Sequence, residues 1–176
     1  MKNYTYRENR VFIPPTAEVG RIFMPRGEFG PVVQRVISET SPWEKGEDPI
    51  EEFTLPKEIG VRVVELSDRD RPMWGRNPNH KARNIEVSPY VYRADLNSPN
   101  LRTVHATLEM VGSPDKPILT RVYPGEYSPP LPWMQSAKNA DGGRDGCIEF
   151  WKKHAYIITS MNRPTELSPE PPNWYA

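Results

Sequence analysis

Twenty-one prolines in 176 residues, more than twice the usual share of about 5%, constrain this chain more than any other feature. Each fixes φ, removes a backbone donor and pushes the preceding residue away from the helical region. They limit helix length and favour short strands joined by stiff, extended loops. Five Trp, eight Tyr and five Phe bury enough area per residue to complete a core in a chain that is only 36% hydrophobic. So many aromatics also argue against disorder throughout.

Periodicity supplies the elements. Gly30 and Pro31 open a helix in which Val32, Val33, Val36 and Ile37 share a face. Residues 61–66 and 85–94 alternate as strands, the second weakened by Pro89, which favours an edge or a bulge. The clearest strand is 103–111, with Val104, Ala106, Leu108 and Met110 on one face and His105, Thr107 and Glu109 on the other. A six-residue turn, 112–117, leads to a second strand, 118–123, giving a hairpin. Residues 147–153 read as helix and 154–161 as strand. The expected architecture is α+β: a single domain, 1–176, with a mainly antiparallel sheet, one early and one late helix, and long Pro-rich loops. Residues 1–10 and 165–176 are expected as extended arms.

Twenty-three basic residues cancel 23 acidic ones, which removes any global electrostatic drive toward nucleic acid or membrane. One cysteine, Cys147, excludes an internal disulfide and a cysteine-type zinc site. No apolar run approaches the ~20 residues of a membrane span, and the first residues lack the apolar stretch of a secretion signal. A cytoplasmic site of action is expected, with delivery from outside as part of a larger protein left open. Phosphate-loop, dinucleotide, zinc-peptidase and nucleophile-elbow motifs are all absent. No cofactor and no metal are expected.

Acid–base chemistry near neutral pH has three histidines to draw on: His80, His105 and His154. His105 shares its strand face with Thr107 and Glu109, and the hairpin partner adds Arg121 and Tyr123 if Val122 takes the core side. A base, a cation and a phenol then meet on one surface, although a solvated hairpin face is the commoner meaning of such a pattern. His80 lies in a turn-rich stretch with Trp74, Arg76, Lys81 and Arg83, where cations and an indole suit phosphates and an unstacked base. His154 follows a helix and suits its C-terminal cap, and Cys147 suits a buried, inert role. Gly142, Gly143, Arg144, Asp145 and Gly146 precede a helix, a geometry that can hold an anion but is more often a plain loop.

The strand at 118–125, with Thr120, Tyr123, Pro124 and Gly125, resembles the strand that closes the sheet in metal-independent bacterial RNase toxin domains of the barnase, EndoU and colicin group. The resemblance covers that strand alone. It implies ribonuclease activity without a metal, with Thr120 and Tyr123 on the catalytic strand. His105, or His80 with Lys81, would supply the upstream acid and base, and Arg121 or Lys81 would stabilise the transition state. Substrate RNA would be held by Lys81, Arg76, Arg83 and Trp74. A different class of function competes with this one. The acidic segment 39–58, which carries Trp43, Ile50 and Phe53 among its charges, and the Pro-rich stretches 128–132 and 168–172 suit a non-catalytic protein that docks on a partner or inhibits it.

Overall fold

The computed structural model describes residues 12, 17–19, 26–40, 43, 50–55, 58–76, 86–92, 102–159 and 163–175. They form an α+β fold in which most strand pairs are antiparallel. Their contacts group into two compact units, one from Met1–Val61 with Arg102–Glu126 and one from Arg62–Leu101 with Tyr127–Ala176. His80, Lys81, Arg83 and Ile85 lie outside the described residues, as does the whole stretch 1–10 expected as an N-terminal arm.

The first unit is a four-stranded sheet covered on one face by a helix. Its strands are β1 (Glu18–Val19), β2 (Ile50–Thr54), β8 (His105–Ser113) and β9 (Lys116–Pro124), in the order β1-β9-β8-β2. Helix α1 (Arg26–Thr40) starts earlier than Pro31, which falls inside it and costs it one backbone hydrogen bond. Val33, Val36 and Ile37 of α1 are buried against Ala106, Leu108, Met110, Leu119 and Val122, the apolar face expected from their spacing. Two further short strands, β3 (Gly60–Val61) and β7 (Arg102–Thr103), pair beside this sheet. Val104 forms a half-buried bend between β7 and β8.

One irregularity phases the hairpin. Glu109 faces Arg121 and Met110 faces Leu119, so Thr120 is an extra residue on β9. Strict alternation would put Leu119 on the same side as Arg121 and Tyr123. The bulge returns Leu119 to the core, fully buried opposite Met110. The Thr120 hydroxyl donates to the Glu109 carbonyl (3.0 Å) and so bridges the break in the ladder. The connection itself is tighter than the sequence suggests, because pairing continues to Ser113 and Lys116. Gly112 makes this possible with φ of 94°.

Part of the acidic segment 39–58 is a strand. Ile50–Thr54 pairs with β8, which places Glu51 and Phe53 on the core face opposite Leu108 and Ala106. Phe53 and Trp43 pack against the core, so the two aromatics expected to dock on a partner serve the fold.

The second unit is a five-stranded sheet built from β4 (Val64–Glu65), β5 (Met73–Arg76), β6 (Val87–Tyr92), β10 (His154–Ile158) and β11 (Glu166–Ser168), in the order β11-β5-β6-β10-β4. The strand expected over 61–66 is therefore two short ones, and the boundary between units falls within it. Pro89 lies on an interior strand, not an edge. It pairs with Trp74 on one side, and on the other the parallel ladder with β10 begins only at Tyr90, so no donor is required there. Residues 166–168, expected in an extended arm, pair with β5.

Helix α2 (Gly143–Trp151) buries Cys147 and Trp151 against Leu131 and Ala137. The Trp151 indole N–H donates to the carbonyls of Pro129 and Pro130 at 3.2 and 3.1 Å. Residues 128–132 are buried and act as an internal wall, which removes them as a free polyproline ligand. Prolines suit this role because their carbonyls accept while no amide donor is left unsatisfied. His154 caps α2 as expected, its Nδ1 2.8 Å from the Phe150 carbonyl and its ring stacked on Phe150 at 3.8 Å. No helix among the described residues is long and apolar enough to cross a membrane.

The turn glycine gives a direct test of the hairpin. Gly112→Ala should lower stability by about 1–3 kcal/mol, because the added methyl meets the Lys116 carbonyl and φ is positive. Urea denaturation measures this, and a change within error of zero would contradict the described turn.

Candidate functional site

The face of the first unit's sheet opposite the α1-covered core carries the residues expected to act together. Across the sheet run Glu18, Arg121, Glu109 and Ile50 in one row, then Tyr123, Thr107 and Glu52, then His105 and Thr54. The sequence-based prediction that His105, Arg121 and Tyr123 share a face is correct. Their chemistry differs from the expectation.

Arg121 is held between two carboxylates: Nε to Glu18 Oε2 at 2.9 Å and Nη1 to Glu109 Oε1 at 2.7 Å. Its guanidinium also lies 4.5 Å from the Tyr123 ring centroid, and the Tyr123 hydroxyl donates to Glu109 Oε1 (3.1 Å). Only 8% of Arg121 is exposed. This arrangement makes Arg121 and Tyr123 parts of a buried polar network that fastens β1 to β9, with little of the cation left for a phosphate. Thr120 is engaged in the bulge, as described above. Thr107 is buried and donates to the Gly125 carbonyl (2.8 Å).

His105 is exposed and meets Thr54 Oγ1 at 2.9 Å. It stands four residues from Glu109, roughly 13 Å along the strand, so the two do not form an acid–base pair without a large substrate between them. Among the described residues this face carries Glu18, Glu52 and Glu109 against Arg121. Burial pushes the Glu109 carboxyl up from its ordinary value of 4.5. Arg121 and the Tyr123 hydroxyl pull it down and Glu18 adds to the rise, without reversing the direction.

A second constellation lies within the second unit. A cavity of about 350 Å³ is bounded by Arg76 at the end of β5, Val87 on β6, Trp133, and Arg144 in the first turn of α2. The C-terminal stretch from Glu170 to Trp174 closes it. Trp133 is fixed by a hydrogen bond from its indole N–H to the Val87 carbonyl (2.9 Å). Trp174 stands edge-on to Trp74, their centroids 6.3 Å apart. The path of the C-terminal stretch follows from the β11–β5 pairing, which carries the chain past Arg76.

Neither arginine has a carboxylate partner among the described residues. The contact of Arg76 with the Glu170 main-chain oxygen is long, at 3.5 Å, and Glu166, directly opposite Arg76 in the ladder, forms no ion pair with it. Of the residues expected to bind substrate, Arg76 therefore lines this cavity, while Trp74 is buried and supports Trp174 from behind. Trp133 and Trp174 carry no binding signal in the sequence. The glycine-rich run at 142–146 was the one available signal, because it placed Arg144 at a helix start.

Among the described residues, no group of three or more His, Cys, Asp or Glu is placed to hold a metal ion. No family model, curated protein or solved structure matches the chain.

The raised Glu109 has a measurable consequence. A carboxyl whose folded value exceeds its unfolded one binds more protons when folded, so stability falls as pH rises from about the ordinary value through the folded one. Glu109→Gln should remove that component, so the difference in Tm between the two proteins should change with pH just above 4.5 and level off at higher pH. A difference constant over this range would mean that Glu109 titrates normally.

Proposed function

We propose that this chain is a non-catalytic binding protein for an anionic ligand that carries a flat ring, with the cavity of the second unit as its site. The observation that carries this reading is the convergence of two arginines, each without a carboxylate partner among the described residues, with two indole rings on one cavity. Guanidinium groups recognise carboxylates and phosphates through paired N–H donors, and indoles offer apolar faces for a ring. Apolar walls with a few converging polar groups are the general form of a small-ligand site.

Binding ranks above catalysis on chemical grounds. Among the described residues, no His, Cys, Ser, Thr or Tyr lines the cavity, and the one carboxylate there is Glu170. A ribonuclease needs a base and an acid on either side of a phosphate. The expected base, His105, belongs to a face dominated by carboxylates, and the cation expected beside it is held in ion pairs.

A screen of ring-bearing phosphates, sulfates and carboxylates by tryptophan fluorescence and thermal shift tests the reading. At least one should bind. Arg144→Ala should then weaken it about tenfold or more, as expected for a charge-assisted hydrogen bond worth about 1.5–3 kcal/mol, with little change in Tm because Arg144 is exposed. A screen in which no such compound perturbs fluorescence or melting would sink the reading.

A further inference from the structure

We infer that the cavity takes a nucleoside 5′-monophosphate, either free or as the 5′-terminal residue of an RNA strand; this assignment rests on the binding reading above. Charge, shape and polarity each narrow the ligand.

Arg76 and Arg144 come from separate elements, β5 and α2, and border the same cavity. Two forked donors suit a phosphomonoester, which presents three terminal oxygens and close to two negative charges. A phosphodiester within a strand presents one charge and is the poorer match.

The volume, about 350 Å³, is near the lower end for small-ligand pockets. It suits one ring system with its sugar phosphate and not an extended chain. The indole of Trp133 is locked by its bond to Val87, so its orientation is set before a base arrives, which lowers the ordering cost of stacking.

Glu170 and Asn173 add a carboxylate and an amide to the lining. A carboxylate repels phosphate but accepts hydrogen bonds from sugar hydroxyls or from N–H groups of a base, and an amide both donates and accepts. Cationic, stacking and hydroxyl-reading groups at one small cavity match the three parts of a nucleotide.

Calorimetry on the full chain tests the assignment, with AMP, GMP, CMP, UMP, adenosine, ribose 5-phosphate and inorganic phosphate as probes. At least one monophosphate should bind. Its nucleoside and ribose 5-phosphate should each bind about tenfold or more weakly. Arg144→Ala should weaken the monophosphate and leave the nucleoside unchanged, and Trp133→Ala should weaken both. Should Trp133→Ala fail to fold, the comparison of ribose 5-phosphate with the monophosphate still decides whether the base contributes.

Short RNAs with a 5′-phosphate or a 5′-hydroxyl separate the two sources. Tighter binding of the phosphorylated strand than of the monophosphate indicates an RNA end, and the reverse indicates a free nucleotide. Equal affinity for monophosphate and nucleoside, or for monophosphate and ribose 5-phosphate, overturns the assignment. Binding of some other ring-bearing anion with no nucleotide bound also overturns it while leaving the broader binding reading intact. Silence from every ring-bearing anion removes both.

Discussion

The surplus residue Thr120 phases the sheet of the first unit. In a regular strand without this bulge, Leu119 and Arg121 would point the same way, and either a leucine would lie among carboxylates or an arginine would enter the core. With it, Leu119 and Val122 both reach the apolar layer beneath α1, while Arg121 and Tyr123 emerge beside Glu109. The hydroxyl of Thr120 supplies a hydrogen bond at the point where the ladder skips. Bulges re-aim side chains at small cost, and here the re-aiming lets one strand serve a core and an ion-pair network together.

That network explains how a two-residue strand stays in place. β1 contributes two residue pairs to the edge of β9, and a bridge from Phe12 to Ile118 continues along the same strand. Glu18 adds a charge-assisted bond to Arg121 in a partly buried setting, where such bonds are stronger than at the surface. Glu109 completes the coordination of the same guanidinium, and its burial raises its affinity for a proton.

The second unit solves a different problem with the same limited aliphatic content. Trp151 fills the centre and hydrogen-bonds to a proline-lined wall that cannot donate in return. Fixing Trp133 through Val87 and supporting Trp174 against Trp74 then leaves indole surface around a cavity whose cations come from elements far apart in sequence. Aromatic residues thus serve here both as the core and as the walls of the candidate site.

The sequence by itself determined the fold class, the apolar faces of α1 and β8, the hairpin, and the membership of His105, Arg121 and Tyr123 on one face, because periods of 3.6 and 2 are written into adjacent residues. It also suited His154 to a helix cap and Cys147 to burial, both local matters. Only the tertiary structure decided what those faces do. The partners of Arg121 lie 103 and 12 residues away, the acidic segment became a strand by pairing with β8, and Pro89 found an interior position because its neighbour's ladder starts one residue later. The cavity was illegible for the same reason: Arg76, Trp133, Arg144 and Trp174 meet through strand pairing and helix packing, and no local spacing encodes that meeting.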